Sequence, residues 1–424
     1  MDITLDREYL KGYAENRDID QILTDIEKAH IALERKTGVG SEFTGWMDLP
    51  SKTHERSLEE INDLGEEVRG RSQCLVSIGI GGSYVGIHAS LEFLAGEQKL
   101  PVYYMGNNLS SGQVVDLLKI LEHKDFTVVV ISKSGTTTEP ALAFRIIYKF
   151  MKNKYSTTEI KKRIICITDP KEGALRQICD REGYRSFPIN PDVGGRFSVL
   201  TPVGLVPLAI AGADIKKLMQ GARKAQIGCA QMDMDKNVAY QYAAVRFILD
   251  KKGKEIEVLS TFYQRLSLIQ EWWKQLHGES LGKDGKGLFP TSLSFTADLH
   301  SMGQLLQEGP RTILETFLAV EETGDKVIIP RFEENLDNFN CVAGKDIDYV
   351  NKQAFKATAA AHYEGGVPNM TINIPRFDAD CLGQLFYFFM KGVGLKGYLM
   401  GINPFNQPGV EAYKKKMFQL LGRK

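Results

Sequence analysis

The stretch from Phe126 to Pro140 constrains this chain more than any other. Phe126-Thr127-Val128-Val129-Val130-Ile131 is a β-branched run with the pattern of a strand buried on both faces. Ala141-Leu142-Ala143-Phe144-Arg145-Ile146-Ile147-Tyr148 has apolar residues at helical spacing and reads as a helix. Between them lies Ser132-Lys133-Ser134-Gly135-Thr136-Thr137-Thr138-Glu139-Pro140. A strand that passes through such a loop into a helix N-terminus gathers backbone N–H groups, hydroxyls and one ammonium around a single point, which makes a phosphate or anion site. One Ser or Thr suffices to cap a helix. Five of them beside Lys133 exceed that need.

Further strands are read at Leu75–Ile80, Val102–Met105 and Arg163–Thr168, with helices between them, including one over Leu58–Val68 and one starting near Tyr84. This alternation predicts a parallel, doubly wound sheet with ligands at the carboxyl ends of its strands. Ser83 and the Ser132–Thr138 loop both fall at such ends and can face one pocket. Gly81-Gly82-Ser83 is a glycine-rich turn, so the dinucleotide fingerprint has to be tested. It needs glycine where the chain has Tyr84, and an acid after the next strand where the chain has Gly106-Asn107-Asn108. A small anion or a sugar therefore suits Gly82 and Ser83 better than a nucleotide.

With 424 residues the chain is long enough for more than one domain. Residues 1–50 read as an N-terminal helical arm interrupted at Leu49-Pro50, and 51–220 as a first α/β domain with the phosphate loop. Gly221 to Asn237 is poor in large apolar side chains and marks the boundary to a second α/β domain, 221–424. There a helix is expected near 238–250, a strand over Glu255–Leu259, a helix over Phe262–Leu276 and a strand near Leu288.

Lys+Arg and Asp+Glu both total 53, a balance that argues against a nucleic-acid partner or a charge-driven membrane surface. The longest apolar stretch, Val199 to Ala211, is broken by Pro202, Gly204 and Pro207 and is too short to span a bilayer. The first residues lack the basic start and apolar core of a signal peptide. The six cysteines show no CxxC pair and no metal-type spacing, so free thiols in a reducing cytoplasm are expected, with no metal site.

Four further positions carry chemistry. In Gly194-Gly195-Arg196-Phe197-Ser198 the arginine is either a planar cationic fork beside closely approaching backbone or a surface residue at a turn. Leu266, Ile269, Trp273 and Leu276 form a helix face, Gly278 reads as its left-handed cap, and Glu279 then stands in a loop as a general base or as one loop acid among many. His300 reads as first-turn, where the helix dipole disfavours imidazolium; it either caps that turn or handles a proton. Val410, Tyr413, Met417, Leu420 and Leu421 form a C-terminal stripe expected to pack on the body. Lys414 lies on its edge, where it snorkels or meets an anion.

Taken together, Gly79-Ile80-Gly81-Gly82-Ser83, Ser132 to Glu139, Gly194 to Ser198, Gly278-Glu279-Ser280, His300 and Gln407 to Lys414 resemble, in order and over nearly the whole chain, the glucose-6-phosphate isomerase (phosphoglucose isomerase) family of compact bacterial type. The resemblance implies two sugar-isomerase-type (SIS) α/β/α sandwiches with an N-terminal arm and a C-terminal helix. It further implies a cytoplasmic homodimer of glycolysis and gluconeogenesis with a shared active site, where the histidine matching His300 comes from the partner chain. The implied reaction interconverts glucose 6-phosphate and fructose 6-phosphate through ring opening and a cis-enediolate, without cofactor. By the same resemblance Ser132, Lys133, Ser134 and Thr137 hold the phosphate, with Gly82, Ser83 and Gln407 near the substrate. His300 and Lys414 assist ring opening, Glu279 is the base, Gln275 contacts the sugar, and Arg196 stands beside the developing oxyanion. Glu139 supports Arg196 or the sugar hydroxyls. Two other readings stay open: an isomerase that also accepts mannose 6-phosphate, and a non-catalytic sugar-phosphate sensor, which would need the hydroxyl loop but not Glu279, His300 and Lys414 together.

Overall fold

A computed structural model of the chain describes residues 1–96 and 98–422. Among these residues ten strands form two five-stranded sheets. The first contains β2 (Cys74–Ile78), β3 (Val102–Met105), β4 (Phe126–Ile131), β5 (Ile164–Thr168) and β6 (Arg185–Pro188), all parallel, in the order β3-β2-β4-β5-β6. Every residue of β2, β4 and β5 is buried, which is why these strands read as unbroken apolar runs. In this order the connections from β2 and β4 leave toward opposite faces of the sheet, and the crevice between their carboxyl ends is the topological switch point.

The second sheet contains β1 (Thr4–Asp6), β7 (Ile256–Thr261), β8 (Phe289–Ser294), β9 (Ile313–Glu322) and β10 (Asn369–Arg376), in the order β1-β10-β9-β7-β8. Four of these are parallel and β1 is antiparallel to β10. The N-terminal arm is thus not only helical. Its first ordered element is an edge strand of the distant second sheet, because Leu5 pairs with Ile372 where the parallel set would otherwise expose backbone. Pro50 likewise does not break a helix but occupies the first turn of a short one, Leu49–Lys52, where its missing N–H costs nothing.

The first sheet's Val129 and Ile165 and the second sheet's Leu259 and Leu314 belong to one continuous core, which also encloses Trp46, Trp272 and Trp273. Through it runs the central helix Ala379–Leu399, buried around nearly its whole circumference. The helix Ile215–Cys229 passes unbroken through positions 220 and 221 and lies against the central helix. A Cβ on Gly221 would stand 1.9 Å from Asp380 O, and one on Gly383 1.9 Å from Leu218 O, so the two backbones meet only because both positions are glycine. Cys341 is exposed and the other five cysteines are buried, all as free thiols. No helix among the described residues is long and apolar enough to cross a membrane.

Candidate active site

The switch point of the first sheet carries two loops: the turn Gly81–Ser83 after β2 and the Ser132–Thr137 segment after β4. The second is folded by its own hydroxyls. Ser132 Oγ accepts from Gly135 N at 3.0 Å, and Ser134 Oγ accepts from Thr136 N at 3.1 Å. Its carbonyls are turned the other way, Lys133 O accepting from Asp169 N and Thr168 Oγ1, and Ser134 O from Ala174 N. That polarity leaves N–H groups and hydroxyls for an anion at the start of the helix Thr138–Lys154, whose N-cap Thr137 makes no side-chain cap bond among the described residues.

The C-terminal helix Glu411–Leu420 closes this loop into a cavity of about 180 Å³ lined by Ser134, Thr136, Thr137, Glu139, Tyr413 and Lys414. Lys414 is one-third exposed and its Nζ donates to Glu411 Oε1 at 2.8 Å. The expected burial of this helix's apolar stripe is not met within the chain. Tyr413, Leu420 and Leu421 are all more than half exposed, because only the side of the helix that faces the Ser132–Thr137 loop finds a surface to cover.

Arg196 lies in the short helical segment Gly195–Leu200 and is 1% exposed. A Cβ on Gly82 would sit 1.9 Å from Gly195 O, so the two glycine motifs read from the sequence are in direct contact, and that contact fixes where Arg196 starts. All five guanidinium N–H groups are used. Nε donates to Ser280 Oγ at 2.7 Å, Nη1 to Glu279 Oε2 at 3.4 Å and Gln407 Oε1 at 3.1 Å, and Nη2 to Pro404 O at 2.7 Å and Asn406 O at 3.0 Å. Burial pulls the guanidinium down to about 10, against the pull of Glu279, so it stays cationic near neutrality. The expected support of Arg196 by Glu139 is not formed. Its donors are filled by other residues, and Glu139 lines the cavity beside the Ser132–Thr137 loop instead.

Glu279 is not in a loop. The helix Ser267–Leu281 continues through Gly278, which caps nothing, and carries Glu279 in its last turn. Leu276, Ser280 and Leu281 are buried, and that packing outweighs the roughly 1 kcal/mol helix penalty of a glycine. One carboxylate oxygen accepts from Gln275 Nε2 at 2.9 Å and the other from Arg196. Glu279 opens onto a cavity of about 450 Å³ with Lys283, Asn406 and Gln407, and onto a second of about 400 Å³ with Gly81, Tyr84, His88 and Gln275.

His300 is placed elsewhere. It ends the turn Ala297–His300, beyond the carboxyl end of β8, and is exposed. Glu279 lies at the other end of that strand, where Gly278 abuts Pro290. Six extended residues span roughly 17–20 Å, so Glu279 and His300 of one chain stand at opposite ends of the second sheet. The Gly81–Ser83 and Ser132–Thr137 loops lie at strand carboxyl ends of the first sheet, whereas Glu279 stands at the C-terminal end of a helix beside the start of β8.

Sequence reasoning missed the segment Asn403–Asn406, whose Pro404 and Asn406 carbonyls hold Arg196, and also Ser280. Ser280 was visible as the direct neighbour of Glu279. The carbonyls had no signature, since backbone oxygens belong to every residue type.

Residues 65–422 match the family model described as phosphoglucose isomerase. The chain belongs to the phosphoglucose isomerase family. Among its relatives, the glucose-6-phosphate isomerase of Clostridium novyi (strain NT) is 50% identical over 433 residues, covering 100% of this chain and 95% of that one. The crystal structure of a hypothetical protein from Thermus thermophilus superposes with a TM-score of 0.91 at 31% identity, covering 99% of both chains. The crystal structure of a glucose-6-phosphate isomerase from Chlamydia trachomatis superposes with a TM-score of 0.84 at 19% identity over 99% of this chain and 88% of that one, a likeness of fold. The phosphoglucose isomerase family thus accounts for the mixed α/β architecture with its two parallel-dominated sheets.

Proposed function

We propose that this chain interconverts glucose 6-phosphate and fructose 6-phosphate, with Glu279 moving the proton between C2 and C1. The observation that carries this reading is the carboxylate itself: Glu279 is fixed at both oxygens, by Gln275 and Arg196, on a rigid helix end that faces open cavities on two sides. A shift of a proton between adjacent carbons on one face needs a single group that accepts it and returns it, and general acid–base help of this kind is worth roughly 10²–10⁴-fold.

In the opened aldose, Glu279 takes the C2 proton and the electron pair forms the C1–C2 double bond of a cis-enediolate, while the carbonyl oxygen gathers charge. Once the hydroxyl proton on O2 has passed to O1 within the cis-enediolate, return of the carbon-bound proton from Glu279 to C1 re-forms the carbonyl at C2. Arg196 supplies a permanent positive charge behind Glu279 and Gln407, and Gln407 lines the same cavity as Glu279. The hydroxyls of Ser132, Ser134 and Thr137 with Lys133 take the phosphate, Gly82 and Ser83 approach the sugar from β2, and Lys414 stands over the phosphate-loop cavity. Anchoring the remote phosphate orients the reacting carbons. Gln275 Oε1, buried without a partner among the described residues, suits a sugar hydroxyl.

Ring opening draws on Lys414 and on His300 of a second copy. The separation of His300 from Glu279 within one chain supports a homodimer whose sites are completed across the interface, and we place the enzyme in the cytoplasm. The 1–50, 51–220 and 221–424 divisions remain our description of arm and domains. A non-catalytic sensor has no use for a base held this tightly. The decisive experiment is a coupled assay on fructose 6-phosphate with mannose 6-phosphate as comparison, run on wild type and Glu279→Gln. The variant is expected to bind substrate, lose at least about 100-fold in turnover and cease exchanging the C2 proton with solvent; near-normal turnover would remove Glu279 from the role of base.

A further inference from the structure

Lys283 follows the helix that carries Glu279, in a loop for which the reaction as described has no use. Its Nζ donates to Ser280 O at 2.9 Å, in the last turn of that helix, and to Asn403 O at 2.7 Å, more than a hundred residues away. Asn403 opens the segment that holds Arg196. Asn403 Oδ1 accepts from Phe405 N at 2.9 Å and Asn406 N at 3.3 Å, and the carbonyls of Pro404 and Asn406 are the two acceptors of Arg196 Nη2.

Two cations therefore fasten the same pair of elements. Arg196 joins them from the first sheet's side, through Ser280 Oγ and the 404–406 carbonyls. Lys283 joins them from within the second unit, through backbone alone. We propose that Lys283 is a positioning residue for the isomerisation, a clip that fixes the distance between the helix turn bearing Glu279 and the loop that seats Arg196 and Gln407.

The geometry suits that task. Glu279 and Arg196 are separated by 3.4 Å, at the long end of hydrogen-bond reach, so a small slide of the helix end against the loop changes their relation substantially. An ammonium donates charge-assisted bonds, about twice as strong as neutral ones, to both carbonyls. Burial, with Arg196 pushing the same way and Glu279 and Asp284 opposing, lowers the Lys283 ammonium to about 8. It is still largely protonated at pH 7. Lys286, three residues on, donates to Met400 O at 3.0 Å and ties the same loop to the end of the central helix without touching the Arg196 seat. It is the natural control.

The inference rests on Glu279 being the base, so Glu279→Gln is measured beside the clip variants. Lys283→Met is expected to lose on the order of 100-fold in kcat, the scale of a roughly 1 Å misplacement, while the inhibition constant of inorganic phosphate, read at the distant Ser132–Thr137 loop, stays within about twofold. Lys283→Arg, which keeps charge and donors, is expected to recover most of kcat, and Lys286→Met to keep it. Thermal midpoints are followed for all four. The proposal is overturned if Lys283→Met turns over normally while Glu279→Gln is dead, if phosphate affinity falls in step with kcat, or if Lys283→Arg or Lys286→Met is as impaired as Lys283→Met. Normal turnover by Glu279→Gln would instead overturn the assignment of the base.

Discussion

Gln275 stands one helical turn before Glu279 and donates from Nε2 to Glu279 Oε1 at 2.9 Å, while its own Oε1 is buried with no partner among the described residues. One amide thus orients the carboxylate with its donor end and presents an acceptor with the other. A hydrogen bond to a charged group is worth about 1.5–3 kcal/mol. Gln275→Met, similar in volume and without polar atoms, is therefore expected to lower kcat/KM roughly 10- to 100-fold, with kcat carrying the larger share. Steady-state kinetics in both directions would check this.

Arg196→Lys keeps a charge and loses the fork. Ser280 Oγ and Pro404 O, both buried, and the part-buried Asn406 O compete for one ammonium, and each buried acceptor left alone costs about 1–3 kcal/mol. The urea midpoint is expected to fall. The displaced charge should also reduce kcat by about 10²–10³-fold, the scale of a lost oxyanion donor. A variant with unaltered kcat would show that the guanidinium is only a structural pin.

Much of this was legible, and the exceptions have reasons. β2, β4 and β5 are buried on both faces, so burial alone wrote their pattern. β9 escaped because Glu315 and Thr316 interrupt its apolar run; Glu315 is buried against His362 Nδ1 at 2.6 Å, a partner no local window contains. Gly278 looked like a helix end because its packing is tertiary. The Ser132–Thr137 loop was readable as hydroxyls at a strand–helix junction, whereas the Lys283 clip was not, since both its acceptors are backbone carbonyls.

The hydroxyl loop yields a different kinetic signature. Ser134 Oγ is 2.9 Å from Thr136 Oγ1 and accepts from Thr136 N, so it shapes the loop as well as facing its cavity. In Ser134→Ala with Thr137→Ala, KM for the phosphorylated sugar should rise at least about tenfold, the scale of 1.4 kcal/mol or more of lost anion contacts, with kcat changed less. Inhibition by inorganic phosphate should weaken in parallel.

Lys396 makes a prediction about stability. It is fully buried on the central helix, 3.2 Å from Asp250, and burial with help from Arg246 pulls its ammonium down to about 8 against Glu257 and Asp250. Below pH 8 it is protonated folded and unfolded alike. Between about 8 and the ordinary 10.5 the unfolded chain binds more protons, so this residue makes stability rise with pH over that window. Relative to Lys396→Met, the wild type should gain unfolding free energy between pH 8 and 10.5 in urea titrations. A constant difference would mean that Lys396 keeps its proton throughout.

The antiparallel edge strand β1 imposes an order in time. Thr4–Asp6 leaves the ribosome first of the ten strands, yet its partner β10 begins at Asn369. At about 5–20 residues per second, roughly 20–70 s pass before the two can meet. Through that interval the segment is an unpaired strand, and its length of three residues keeps it a poor template for other chains. The clamp beside it, where Gln384 accepts from Asp2 N at 2.7 Å and donates to Asp2 Oδ2 at 2.9 Å, also waits for the central helix. The second sheet is therefore sealed by the earliest-made of its five strands, and only after the other four have been made.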